Sequence, residues 1–222
     1  MPRIARVTTA GYPHHVTQRG NNRETVFFDD EDRCFYKAKL RIFCESCRVD
    51  ILSYCLMNNH IHLLALPMEE GSLTNCLGRT NLVYTQYINR KYRRSGRLWQ
   101  NRFFSVIVDQ DTYLWSVLRY IELNPVKAGI VDDPRDYQWS SCRATIEGKD
   151  DDLVKSPLNL SDREAYRLFL MERDSGIDEK IRRATSTGRP LGSTDFVESL
   201  EKLFARKLTA GRVGRPKMGK CP

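Results

Sequence analysis

Two histidines stand two residues apart in a strand-like segment. His60 and His62 flank Ile61 at the start of the apolar run His-Ile-His-Leu-Leu-Ala-Leu. Residues two apart on a strand project from the same face, so the two imidazoles lie side by side while Ile61 points into the core. Imidazole is a common ligand of divalent metals, and the pair therefore predicts a metal site. A polar patch on the surface of a sheet is the alternative interpretation.

A tyrosine and an asparagine have helical spacing further along the chain. Residues 119–129 read Arg-Tyr-Ile-Glu-Leu-Asn-Pro-Val-Lys-Ala-Gly. Tyr120 and Asn124 are four residues apart, which places them on one face of a helix that Pro125 stops. An asparagine carbonyl oxygen is a suitable third ligand for Mg²⁺ or Mn²⁺, and a tyrosine one turn earlier then stands beside the metal. A core aromatic on an amphipathic helix is the simpler alternative for this tyrosine.

Arginines interleaved with aromatic residues indicate nucleic-acid binding. Guanidinium groups neutralise phosphates, and aromatic rings stack on unpaired bases. A solvated basic loop is the competing interpretation of this pattern. The candidate arginines of the first half of the chain are Arg19, Arg23, Arg93, Arg94, Arg97 and Arg102, and the aromatic residues among them are Tyr92, Trp99 and Phe103.

The elements that position these residues follow from hydrophobic periodicity and turn signals. The spacing predicts strands over 13–20, 49–57, 60–66 and 97–108, and helices over 30–47, 71–94 and 111–124. This order, β-α-β-β-α-β followed by α, is typical of the split βαβ of a ferredoxin-like α+β sheet with an added helix that carries Tyr120. Such a sheet has one open face. His14 and His15 alternate across the first strand, so one of them could face the site, but the sequence does not select either.

The excess positive charge lies at the C-terminal end. The chain has a net charge of +8, and residues 180–222 hold 11 Lys and Arg against 3 Asp and Glu, which accounts for all of it. Such a tail suits a polyanion, because each neutralised phosphate releases counterions, although a solvated tail without a partner has the same composition. Arg189 and Arg215 stand in Gly-Arg-Pro triplets that suit an A·T-rich minor groove. We expect a main domain over 1–145, a small helical basic extension over 146–210 and a disordered basic tail over 211–222.

Composition excludes several classes of protein. A chain of 222 residues with 41% hydrophobic and 29% charged residues can bury a core, so it is neither fibrous nor wholly disordered. Its seven cysteines lack the spacing of a disulfide framework or a four-ligand zinc site. No apolar run has the length of a membrane helix, and the N-terminus lacks the pattern of a signal peptide. These features predict a soluble cytoplasmic protein with no membrane partner.

Together the motifs resemble a known family. The His-Ile-His strand and the Tyr-Ile-Glu-Leu-Asn-Pro-Val-Lys-Ala-Gly helix look like the single-tyrosine HUH transposases. Val-Thr-Gln-Arg-Gly-Asn-Asn-Arg, followed by Phe-Phe-Asp-Asp at 27–30, resembles the branch associated with repetitive extragenic palindromes (REP). The resemblance covers residues 1–145. It implies that Tyr120 attacks a single-stranded DNA phosphate near a hairpin, leaving a 5′-phosphotyrosine and a free 3′-hydroxyl, with His60, His62 and Asn124 as ligands of Mg²⁺ or Mn²⁺.

The chemistry of tyrosine agrees with this implication, since a hydroxyl with a pKa near 10 needs a metal or a base beside it to act as a nucleophile. Three alternatives stay open. The chain could be a DNA-binding protein of the same fold that lacks activity, a relaxase or replication initiator with the same chemistry, or a metal-dependent phosphoesterase that hydrolyses DNA without a covalent intermediate. The protein acts as a monomer or a homodimer.

Overall fold

The structure is a computed structural model that describes residues 6–155, 158–172 and 175–209. The predicted tail over 211–222, with Arg215, lies outside the described residues. Within the described ranges, no helix combines the length and the apolar character needed to cross a membrane.

The centre of the described chain is an antiparallel sheet. Its strands are β1 (His14–Arg19), β2 (Val49–Met57), β3 (His60–Pro67) and β4 (Phe104–Ile107). Their spatial order is β2-β3-β1-β4, which is the ferredoxin-like order, and the predicted fold class is confirmed. The residues Asn58 and Asn59 between two strand-length apolar runs predict a tight hairpin, and the pairing of Met57 with His60 across them confirms it.

Helices connect and cover the strands. They are α1 (Asp30–Cys47), α2 (Ser72–Lys91), α3 (Gln110–Glu122), α4 (Asn124–Lys127), α5 (Cys142–Glu147), α6 (Leu160–Met171), α7 (Ser175–Thr187) and α8 (Thr194–Leu203). Helix α1 begins with a capping box in which Asp29 accepts from the backbone N–H of Asp32, and Asp32 accepts from that of Asp29. Each aspartate satisfies a backbone donor that the first helical turn leaves open.

Two predicted elements differ from the structure. The predicted strand over 97–108 is shorter, because residues 98–100 instead form backbone hydrogen bonds with Arg19 and Asn21 at the end of β1. The predicted helix over 111–124 is divided, since α3 ends at Glu122 and α4 begins at Asn124. The helix α7 was not predicted.

Alternate residues of the strands face two separate cores. Ile61 and Leu63 pack with α1 and α2, around Tyr36 and Tyr84. Leu64 belongs to the other core, which α3, α5, α6 and α7 cover. The expectation of one open face is therefore wrong over most of the sheet, because these later helices occupy it.

Glu122 ties the later helices to α3. Its carboxylate is fully buried and accepts hydrogen bonds from Ser141 at 3.1 Å, from Thr145 at 2.6 Å and from Tyr166 at 2.9 Å. Burial raises the pKa of Glu122 to about 7. The bond from Tyr166 crosses the expected boundary at residue 145, and the division into domains stays a prediction.

Candidate active site

The histidine pair and the tyrosine line one cavity of about 340 Å³. The pairing of β1 with β3 explains this placement: Thr17 lies opposite His62, and Arg19 lies opposite His60. Residues paired across strands share a face of the sheet, and α3 runs over that face. The lining includes Thr17, Arg19, His60, His62, Tyr120 and Arg182.

The distances between ring centroids show that His60, His62 and Tyr120 lie close together. The ring centroids of His60 and His62 are 5.0 Å apart, and those of His62 and Tyr120 are 5.7 Å apart. The Lys127 ammonium lies 4.8 Å from the centre of the Tyr120 ring. The structure therefore brings together His60 and His62, the two predicted imidazole ligands, and Tyr120, the predicted nucleophile.

Burial keeps both predicted ligand imidazoles neutral at pH 7. It lowers the pKa of His60 to about 4, with a smaller contribution from the charge of Arg19. Burial also lowers the pKa of His62 well below its usual value, and the neighbouring His15 and His60 lower it further. A neutral imidazole has the lone pair that a metal ligand needs.

The proton position on His60 follows from Asn59. The Asn59 Nδ2 donates to the carbonyl oxygen of Arg23 at 3.0 Å, which orients the amide. The Asn59 Oδ1 then faces the Nδ1 of His60 at 2.6 Å. An amide oxygen only accepts, so Nδ1 carries the proton and the Nε2 of His60 keeps its lone pair.

His15 is a site residue that the sequence did not single out. Its ring is buried, its Nε2 lies 3.0 Å from the Nδ1 of His62, and its centroid is 5.6 Å from that of Tyr120. Burial lowers the pKa of His15 to about 3. The alternation of His14 and His15 was the available signal, but only the register with β3 decides which of them faces the site.

Tyr120 is half-buried among basic side chains. Burial raises the pKa of its hydroxyl, and a hydrogen bond from Arg182 counteracts part of that rise. Arg182 belongs to α7, as does Asp178, whose carboxylate lies 2.7 Å from the ammonium of Lys127. Helix α7 was missed because its apolar residues Ile181 and Ala184 form a short pattern within a charged segment.

Asn124 stands apart from the cavity wall. The break after α3 places it at the start of α4, where its Nδ2 donates to the carbonyl oxygen of Tyr120 at 2.7 Å. Its Oδ1 accepts no hydrogen bond from the residues that the structure describes. The amide oxygen is chemically available, and its role as a third ligand stays a prediction.

The predicted DNA-binding arginines occupy different places. Arg19 lines the histidine cavity, whereas Arg97 and Arg102 line a second cavity of about 520 Å³ beside Trp99. Arg23 and Arg93 are exposed, Arg94 bonds to Glu24 at 3.4 Å, and Arg189 is half-buried. Their roles in DNA binding stay predictions.

The two imidazoles have the chemistry of ligands for a divalent metal, whereas the third predicted ligand, Asn124, lies outside the cavity lining. Two neutral imidazoles stand on one face of the sheet, and an amide oxygen is available at the end of the tyrosine helix. Among the described residues, no group of three His, Cys, Asp or Glu side chains could hold a metal ion.

A ferredoxin-like sheet whose histidine pair faces a helix tyrosine is the arrangement expected of a single-tyrosine transposase. Residues 8–124 match the family of IS200-like transposases, and the chain belongs to that family. It is thus an enzyme of the transposase class. The matched segment ends at Asn124, so α5 to α8 lie beyond it.

Two similar proteins agree with this family. A Haemophilus influenzae protein designated a REP-associated tyrosine transposase is 25% identical over 158 residues, which cover 63% of this chain and 89% of that protein. The solved structure of a REP-associated tyrosine transposase bound to a REP hairpin superposes with a TM-score of 0.58 at 17% identity, covering 72% of this chain and 94% of the other. The second comparison supports the fold.

Proposed function

We propose that this transposase cleaves and rejoins single-stranded DNA next to a hairpin through a covalent bond to Tyr120. The observation that carries the proposal is the 5.7 Å separation of the Tyr120 and His62 rings on the wall of one cavity. The similar solved protein is bound to a REP hairpin, which supports a hairpin of this kind as the DNA that the chain binds.

In the proposed reaction the Tyr120 oxygen bonds to a DNA phosphorus, and the bond from phosphorus to the 3′-oxygen breaks. The tyrosine gives up one proton to solvent, and the departing 3′-oxygen takes up one proton to become a 3′-hydroxyl. Arg182 lines the same cavity, and its positive charge would stabilise the phenolate that attacks. Because the phosphotyrosine ester conserves the bond energy, a 3′-hydroxyl can attack it and rejoin the strands without ATP.

We propose Mg²⁺ or Mn²⁺ as the divalent ion that this reaction would use. His60, His62 and the amide oxygen of Asn124 are the proposed ligands. When bound, the ion polarises a nonbridging phosphate oxygen and stabilises the charge that develops on it.

The test is covalent trapping. The protein is incubated with Mn²⁺ and a labelled DNA hairpin that carries a single-stranded flank from beside its own gene. Denaturing electrophoresis should reveal a protein–DNA adduct. Tyr120→Phe removes one oxygen and should eliminate both the nick and the adduct, with a loss of at least about 1000-fold.

The control is Tyr113→Phe, about two helical turns earlier on α3. We expect this variant to form the adduct normally, since Tyr113 does not line the histidine cavity. A hydrolytic phosphoesterase would still cut DNA after Tyr120→Phe and leave a free 5′-phosphate. That result would overturn the proposed covalent mechanism.

A further inference from the structure

A chain of hydrogen bonds runs from α7 through β1 to His62. The Thr185 Oγ1 lies 2.8 Å from the carbonyl oxygen of Ile181 and 3.1 Å from the Nδ1 of His15. The Nε2 of His15 in turn lies 3.0 Å from the Nδ1 of His62. His15 is thereby bonded at both ring nitrogens.

The two histidines reach each other because they are diagonal neighbours in the sheet. His15 lies opposite Leu64 and His62 lies opposite Thr17, one pair further along the same face. Their ring planes differ by 9°, and their centroids are 5.3 Å apart. With nitrogens as close as 3.0 Å, the rings lie edge to edge in nearly one plane, the geometry of a hydrogen bond rather than of a face-to-face stack.

Each proton in this series of hydrogen bonds has one consistent position. The Ile181 carbonyl only accepts, so the single hydroxyl proton of Thr185 is donated to it. The Thr185 oxygen must then accept from His15, which places a proton on the Nδ1 of His15. His15 is 1% exposed, and burial favours the neutral ring. Its Nε2 therefore accepts, and the Nδ1 of His62 donates.

We propose that Thr185 and His15 are positioning residues that hold His62 with its proton on Nδ1 and its lone pair on Nε2. This inference rests on the proposed function, in which His62 is a metal ligand. His60 reaches the same state through Asn59, so both ligand rings present Nε2. Thr185 lies beyond the segment that matches the family, so the proposal gives the C-terminal extension a part in positioning a metal ligand.

The first test reads the tautomer directly in the metal-free protein. Long-range ¹H–¹⁵N spectra of protein labelled at histidine distinguish the Nδ1–H and Nε2–H forms, and the four histidines of the chain can be assigned by single substitutions. We expect His62 in the Nδ1–H form. His62 in the Nε2–H form would overturn the proposal.

The second test removes one hydroxyl. Thr185→Val takes away the acceptor of His15, so we expect the signals of His62 to become a mixture of tautomers and the calorimetric Mn²⁺ affinity to fall at least about tenfold. Thr185→Ser restores the hydroxyl and should behave as the wild type. Unchanged spectra and Mn²⁺ affinity in Thr185→Val would overturn the proposed chain of hydrogen bonds.

The matched control is Thr187→Val on the same helix. The Thr187 Oγ1 also bonds to the carbonyl four residues earlier, at 2.8 Å, and Thr187 does not line the cavity. We expect wild-type tautomers and Mn²⁺ affinity from this variant, and equal thermal midpoints for the two valine variants. An equal loss of Mn²⁺ affinity in both valine variants would reveal a general effect of changes in α7 and would contradict the proposed chain of hydrogen bonds.

A further variant separates this proposal from the proposed function. His62→Ala should abolish calorimetric Mn²⁺ binding if His62 is a ligand. Retained Mn²⁺ binding in that variant would contradict the metal site, whereas the tautomer of His62 in the wild type would still decide whether the hydrogen-bond chain exists.

Discussion

The two faces of the central sheet are built from alternate residues of the same strands, yet one face packs into a closed core and the other lines a cavity. Towards α1 and α2, Ile61 and Leu63 meet a closed core of aromatic rings. Towards α3 and α7, His60 and His62 meet a cavity beside a tyrosine. Neighbouring residues of β3 thus point alternately into the closed core and into the wall of the cavity.

The difference lies in how the polar atoms are satisfied. In the aromatic core, the Tyr84 hydroxyl donates to the carbonyl oxygen of Val26 at 2.7 Å, and the Tyr36 hydroxyl donates to Asn81 at 3.3 Å. On the cavity side, His60 and His62 each use Nδ1 in a hydrogen bond. Their Nε2 atoms are the groups that a ligand can use.

The largest expected effect is on the cavity face. Replacing both His60 and His62 with Ala should abolish DNA cleavage, with a rate loss of at least about 1000-fold, and should leave hairpin binding and the thermal midpoint close to wild type. Cleavage by the wild type should likewise stop in excess EDTA. Full cleavage by the double variant would show that the histidine pair holds no essential metal.

On the opposite face, the expected loss is one of stability. Leu63 is fully buried, so Leu63→Ala should reduce the free energy of unfolding by about 2–5 kcal/mol, as measured by urea denaturation. Because its side chain points away from the histidines, the folded variant should keep the wild-type Mn²⁺ affinity. A large loss of affinity in the folded variant would show that the two faces are coupled.

A buried acid on the cavity side should make stability depend on pH. Burial raises the pKa of Glu122 to about 7 in the folded protein, and in the unfolded chain it returns to its ordinary value near 4.3. Its contribution is therefore fully present below about pH 4.3 and is lost progressively as pH rises from there through about 7, by roughly 4 kcal/mol in total.

Glu122→Gln mimics the neutral acid and tests this dependence. Urea midpoints measured at pH 5, 7 and 8.5 should show that the variant gains stability relative to the wild type as pH rises. Parallel pH profiles for the two proteins would contradict the raised pKa.

The smallest expected effect concerns Asn124. Asn124→Ala should raise the Mn²⁺ concentration for half-maximal cleavage by up to about tenfold. It also removes the hydrogen bond to the carbonyl of Tyr120, at a cost of about 0.5–1.5 kcal/mol in the free energy of unfolding. An unchanged metal titration combined with that loss of stability would reduce Asn124 to a residue that ends the helix.

Local sequence signals predicted those features of the molecule that depend on a single strand, helix or turn. The His-Ile-His alternation places His60 and His62 on one face of a strand, because side chains alternate with a period of two. Turn residues between apolar runs predicted the hairpin, and the order of elements predicted the ferredoxin-like sheet. Helical spacing predicted the helix that carries Tyr120.

Tertiary structure decided what depends on contacts between distant segments. Strand register, rather than local pattern, places His15 instead of His14 beside His62. Thr185 bonds to His15 across 170 positions of the sequence, so no local period of the chain records their contact. Helix α7 lies over the site because its Ile181 and Ala184 enter the core shared with α3, and burial of apolar surface selects that docking without regard to distance along the chain.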